Sequence, residues 1–200
     1  MRTPELRDQG QLADREGRAL LWLARRTIAR HLGLAGDEDN DRETKAILAV
    51  PRLQERRGVF VTLKIGSCLR GCIGCLSAAA AIVDGVRDSA VKAAFHDPRF
   101  APLTVEELAA VKLEISVLSP LAPLEYDDAA DLIARLRPGR DGVLIGRGGH
   151  TATFLPQVWE QLPEAERFLD HLCLKAGLPS SAWREGDLRV ETYQVQAFAE

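Results

Sequence analysis

Cys68, Arg70, Cys72 and Cys75 fall within the single run CLRGCIGC, the densest concentration of reactive side chains in this 200-residue sequence. A cation beside a thiol favours the thiolate, which is both the nucleophilic and the metal-ligating form of cysteine. If Arg70 lies beside Cys72, with Asp97 or Glu114 orienting the guanidinium, the pair could serve as a nucleophile, a thiol acid or an anion-binding pocket. Gly71 and Gly74 would let a ligand or another backbone come close. A cysteine nucleophile ordinarily works with a base, and His96 and His150 are the only histidines near these segments. Three thiolates are also natural ligands for an iron–sulfur cluster. Cys72 has a plain structural reading as well, because free cysteine is among the most buried residue types.

The element that must position these residues is a hairpin. Val59 to Ile65 is rich in β-branched and aromatic residues, which favours a strand. Gly66-Ser67 supplies a two-residue turn with glycine first, and Cys68 to Ile73 forms the return strand. Pairing outward from the turn sets Ile65 against Cys68, Leu63 against Arg70 and Val61 against Cys72. That register places Cys68, Arg70 and Cys72 on the aliphatic face of Val61, Leu63 and Ile65. A guanidinium cannot stay there alone, so the register demands a carboxylate partner or an anionic ligand.

Around the hairpin, helical periodicity runs over Gln11–Leu32, ending at Gly33, and over Ser77–Phe95, with Ser77 as cap and Pro98 as terminator. Thr44–Arg57 reads as short helical or irregular structure broken by Pro51. Thr104 and Glu107 make a capping box for a short helix. Val111–Leu118 alternates as a half-buried strand. Asp127–Leu136 is a modest helix, Gly142–Leu155 a second hairpin, and a helix starting at Pro163 runs to Lys175 with Gly177 as its stop. Leu188–Phe198 reads as one final strand. The predicted fold is α+β, a largely antiparallel sheet flanked by helices.

Composition narrows the function classes. Net charge is −3, with 46% hydrophobic and 28% charged residues and no basic block, so neither nucleic acid nor a membrane surface is an expected partner. No apolar run reaches the length of a membrane span. The polar start lacks the apolar core of a secretory leader. Four cysteines without a scaffold-like pattern point to reduced thiols in a cytoplasm. The acidic run Gly36 to Glu43 reads as a solvated loop, since it lacks the glycine and glutamate offsets of a calcium loop. No linker divides the chain, so residues 1–200 are expected to form one domain, with 1–15 disordered. No metal site and no cofactor is predicted.

Cys68-x3-Cys72-x2-Cys75 matches the spacing with which radical S-adenosylmethionine enzymes hold a four-iron cluster. Gly74 stands where those enzymes usually carry an aromatic residue, their barrel is larger and parallel, and strand alternation turns Cys75 away from the other two thiols. A broader resemblance accounts for the run better. LRGCIG, preceded by FVTL and followed in order by DPRF, PLTVEEL, EISVLSP, DGVLI, TFLPQVW and KAGL, resembles the AMMECR domain family, called AmmeMemoRadiSam system protein A in bacteria and archaea. The resemblance runs from about Leu20 to the C-terminus. Only Cys72 of the three thiols belongs to the family motif.

The resemblance implies an α+β unit with a larger and a smaller subdomain around a cleft. It also implies two partners, a radical S-adenosylmethionine protein and a Memo-like protein, acting in a multi-protein modification system. Residue chemistry and the family motifs together put the expected site at Cys72 and Arg70, with Gly71, Gly74, Asp97, Arg99, Glu114, Pro156 and Gln157 as binding residues, Gln157 by resemblance alone. A non-catalytic adaptor that binds a peptide, nucleotide or partner surface is the alternative. The resemblance settles neither enzymatic activity nor oligomeric state.

Overall fold

The computed structural model describes residues 11–34 and 42–200. The sequence expectations for residues 1–10 and for most of the acidic run before Glu43 fall outside these. The fold is α+β, as expected, with two antiparallel sheets of four strands among the described residues. The chain divides into two compact units, one running up to Leu118 and including Gln196–Glu200, the other Ser119–Val195.

In the first unit the sheet order is β2-β1-β3-β8, from β1 (Val59–Ile65), β2 (Cys68–Cys75), β3 (Val111–Leu118) and β8 (Val195–Ala199). Val59, Val61 and Leu63 of β1 and Val111, Leu113, Ile115 and Val117 of β3 are buried, and their alternation is what commits one sheet face to a core. That core includes Leu20, Ala24 and Ile28 of α1 (Asp14–His31) and Val86, Ala90 and Ala94 of α3 (Ile82–Phe95). The short α2 (Arg42–Leu48) and a 3₁₀ turn at Pro51–Gln54 lie between them in sequence. Leu12 is buried, and its main chain exchanges two hydrogen bonds of 2.8 Å with the Gln196 side-chain amide.

Helix α3 begins five residues later than the sequence pattern suggests, with Ala81 and not Ser77 at its N-cap. The preceding residues are engaged elsewhere: Ala81 bridges Arg56, Ile82 N–H donates to Glu55 O, and the Arg56 guanidinium binds Ala79 O. The capping box forms as expected: the Thr104 hydroxyl accepts Glu107 N–H and the Glu107 carboxylate accepts Thr104 N–H at the start of α4 (Val105–Leu108).

The second unit carries the sheet β4-β7-β5-β6, from β4 (Ala122–Pro123), β5 (Gly142–Arg147), β6 (His150–Phe154) and β7 (Arg189–Tyr193). Helices α5 (Ala129–Arg135) and α6 (Ala165–Lys175) complete it, and Phe168, Leu172, Trp159 and Trp183 form the centre of its core. The segment expected as one final strand is two. It breaks at Gln194, whose N–H and C=O bond to the Ser119 hydroxyl and Ser119 N–H, and the two pieces join different sheets.

Candidate functional site

The β1–β2 hairpin opens as the sequence predicts, with Gly66 at a φ of 60° and Ile65 opposite Cys68. Beyond Lys64↔Leu69 the register shifts, and the next pairs are Leu63↔Gly71, Thr62↔Cys72, Val61↔Ile73 and Phe60↔Gly74. Arg70 is the extra residue of a β-bulge. The expected pairs Leu63–Arg70 and Val61–Cys72 therefore do not form. The reason is steric and electrostatic together. A Cβ at position 71 would stand 2.1 Å from the Ala93 carbonyl oxygen, so α3 packs onto bare backbone there and only glycine fits. The bulge leaves Arg70 without a strand partner and free of the aliphatic row.

Arg70 finds the carboxylate that the sequence demanded, but in Glu107, not in Asp97 or Glu114. The contact is bidentate: Nε donates to Oε1 and Nη2 to Oε2, both at 2.9 Å, with the guanidinium 5.9 Å from the Phe100 ring centroid. Paired planar geometry of this kind is the strong form of the interaction. Hydrogen bonding from Arg70 holds the Glu107 carboxyl below the usual carboxylate range, and the same bonds push the guanidinium up. Arg70 Nη1 is buried without a hydrogen-bond partner. One carboxylate thus serves two tasks, capping α4 and neutralising the bulge arginine.

Cys72 occupies the opposite, polar face. Its Sγ accepts a hydrogen bond from the Thr62 hydroxyl at 3.3 Å, and it is half-buried. Since Thr62 also pairs with Glu114 on β3, strand register lines up Cys72, Thr62 and Glu114 across three strands. Glu114 binds the Lys64 ammonium at 2.9 Å. The expected pairing of Glu114 with Arg70 does not occur.

The DPRF turn is clamped to the outer edge of β2 at this residue. Asp97 Oδ2 accepts Cys72 N–H at 2.9 Å, and Arg99 Nη2 donates to Cys72 O at 3.2 Å. Arg99 and Asp97 are themselves joined by Nε–Oδ1 and Nη2–Oδ2 bonds of 2.9 and 2.7 Å. An edge strand presents open N–H and C=O groups, and this pair occupies both at Cys72. The Asp97 side chain is only 2% exposed, against 53% for Arg99. Hydrogen bonds from Arg99, reinforced by Cys72 N–H, hold the Asp97 carboxyl well below the usual range.

Arg99 and Arg70 both lie against Phe100, at 5.5 and 5.9 Å from its centroid. Arg70 and Cys72 are thus linked through the 97–107 segment; the guanidinium and the thiol have separate partners. Gly74 lies under the Phe60 ring, where a Cβ would come within 2.3 Å. Pro156 and Gln157, in the second unit, begin a 3₁₀ turn, with Pro156 buried and Gln157 exposed. His96 follows α3 as its C-cap, and His150 Nδ1 lies 3.0 Å from Ala176 O. By register, Cys68 and Cys75 share the side of Ile65 and Val59, so the bulge turns Cys72 away from the other two thiols, and not Cys75 as expected. No cluster of three or more His, Cys, Asp or Glu side chains able to hold a metal occurs among the described residues.

Sequence reasoning missed three members of this arrangement: Thr62, Lys64 and the second role of Glu107. The first two were legible in principle, because FVTLKI alternates Phe60, Thr62 and Lys64 against the buried positions.

Comparison with known proteins adds the following. The family model described as AMMECR1 matches residues 21–198. A protein of Methanothermobacter thermautotrophicus is 40% identical over 186 residues, covering 92% of this chain and 94% of its own. One from Thermofilum pendens is 37% identical, covering 96% and 92%. The crystal structure of the uncharacterized protein PH0010 from Pyrococcus horikoshii is similar with a TM-score of 0.79 and 33% identity, covering 94% of this chain and 93% of that one.

Proposed function

We propose, from the premise that this chain belongs to the AMMECR1 family, that it is the substrate-handling component of a multi-protein modification system. It acts there beside a radical S-adenosylmethionine protein and a Memo-like protein, in the AmmeMemoRadiSam arrangement, and Cys72 is its reactive group. The observation that carries this reading is the way Cys72 is held. Its thiol is half-buried with a hydroxyl donor on sulfur, while its N–H and C=O are both fixed by the Asp97–Arg99 pair. Three constraints on one small residue are what positioning a nucleophile requires. Arg70 supports the site indirectly, by anchoring the 97–107 segment through Glu107 and Phe100.

No helix among the described residues is long and apolar enough to cross a membrane, and Cys68 and Cys75 are exposed free thiols. Both features accord with a cytoplasmic site of action. An adaptor without chemistry is the second reading. It is favoured by the internal commitment of Arg70 to Glu107, which leaves only the buried Nη1 of that guanidinium without a partner.

The test is genetic and chemical. Cells lacking this chain, and cells lacking the radical protein, should lose the same modified product in a mass-resolved comparison. Cys72→Ser should reproduce the loss while the purified variant keeps its melting temperature. Different products missing from the two deletions would refute the shared system. Full function in the serine variant would leave only the adaptor.

A further inference from the structure

We infer that the molecule served by Cys72 is anionic, a thiol-reactive ligand carrying a carboxylate or phosphate group. This rests on the reading of Cys72 as the reactive residue, and it comes from the charges around it. Two cations from different elements lie near Cys72, Arg99 in direct contact with its backbone and Lys64 further along the same sheet face. Lys64 stands one same-face step along β1 from Thr62, about 7 Å by strand geometry, and Thr62 is the residue that contacts Sγ. Arg99 reaches Cys72 itself, with Nη2 3.2 Å from its carbonyl oxygen.

Each cation has a carboxylate partner, but the partners lie deeper. Asp97 is 2% exposed where Arg99 is 53%, and Glu114 is 26% exposed where Lys64 is 43%. Asp97 is therefore buried beneath Arg99, and Lys64 is the more exposed member of its pair. Arg99 uses Nε and Nη2 for Asp97 and Cys72, which leaves the two N–H groups of Nη1 as donors; Lys64 has three ammonium protons and gives one to Glu114. A carboxylate or phosphate bound to Arg99 would bring an electrophilic centre near Sγ, with the Lys64 ammonium on the same face adding longer-range attraction. Arg70 is no part of this, since Glu107 occupies its Nε and Nη2 and its remaining Nη1 is buried away from solvent.

The experiment compares two probes that differ in charge alone, iodoacetate and iodoacetamide. Both form an S–C bond, release iodide and leave the thiol proton to water. The protein carries Cys68→Ser and Cys75→Ser, and labelling of the Cys72 peptide is read by mass spectrometry. The same peptide in the urea-unfolded chain sets the baseline ratio of the two rates. One unit charge at about 7 Å across water is worth a factor of two to three. Because Glu114 and Asp97 offset part of each positive charge, the iodoacetate-to-iodoacetamide ratio of the folded protein should exceed the unfolded one by up to that factor at low salt. It should collapse toward the baseline at about 1 M salt, and Lys64→Met should lower it. A folded ratio equal to the unfolded one, with Cys72 still labelled, would overturn the anionic ligand and leave the reactive thiol standing. Protection of folded Cys72 from both probes would overturn both.

Discussion

Replacing Asp97 by asparagine keeps the size of the side chain and removes its charge. The carboxylate accepts four hydrogen bonds, from Cys72 N–H, Arg99 N–H, Arg99 Nε and Arg99 Nη2, at 2.9, 3.1, 2.9 and 2.7 Å. An asparagine can satisfy the donors on one side only, because its amide NH₂ confronts the rest as another donor. Bonds to a charged acceptor are worth about 1.5–3 kcal/mol each. Arg99 is more than half exposed and can turn to water, so its share is discounted. The expected loss is about 2–3 kcal/mol at neutral pH, read from urea unfolding.

The pH dependence makes this prediction specific. Asp97 has a folded-state pKa below its unfolded value, so its contribution is complete above the unfolded pKa of about 4 and is lost as pH falls toward the folded one. The slope is about 1.4 kcal/mol per pH unit in that window. The gap between wild type and Asp97→Asn should thus be about 1 kcal/mol smaller at pH 3 than at pH 7. An equal gap at both pH values would show that the clamp on β2 does not depend on the carboxylate charge.

Three further outcomes are expected. Gly71→Ala should cost more than about 3 kcal/mol in urea unfolding, because the added carbon meets the backbone carbonyl of Ala93 at 2.1 Å and α3 must move; a loss under 1 kcal/mol, on the same scale, would mean the helix does not rest there. A double-mutant cycle with Arg70→Met and Glu107→Gln should give a coupling of about 1–2 kcal/mol, since the Arg70 side chain is only 14% exposed; no coupling would place the arginine in solvent. Glu200→Gln should lower thermal stability by about 1–2 kcal/mol, as Glu200 binds the Arg25 guanidinium and Leu113 N–H from the end of the chain.

The parts of the fold that were legible from sequence are those where one local rule acts alone. The alternation of Val111–Leu118, the Thr104–Glu107 box and the stops at Gly33 and Gly177, with φ of 76° at both glycines, each depend on residues within a few positions. The failures are where tertiary partners override a local preference. Ser77 is a good cap in isolation, yet Glu55 and Arg56 hold the residues after it and delay the helix to Ile82. Leu188–Phe198 keeps a strand's composition through the break because β7 and β8 each serve a sheet, and the Ser119 bonds at Gln194 mark where they divide.

The bulge at Arg70 is the failure that matters for the site, and the physics that predicted the wrong register also contains the right one. An unslipped hairpin would aim Arg70 into the row of Val61 and Leu63, both fully buried. Burying a guanidinium there costs several kcal/mol unless a carboxylate follows it in. Slipping the return strand by one residue lowers that cost. It puts a glycine where α3 needs bare backbone, and it lets Arg70 reach Glu107 at the mouth of α4. A glycine beside an arginine inside an apolar hairpin is thus a signal for a bulge, readable before any coordinates. The slip has one consequence for chemistry. It carries Cys72 from the aliphatic face, where a thiol would be inert filling, to the face of Thr62, Lys64 and Glu114, where it has a hydroxyl on sulfur and charged neighbours.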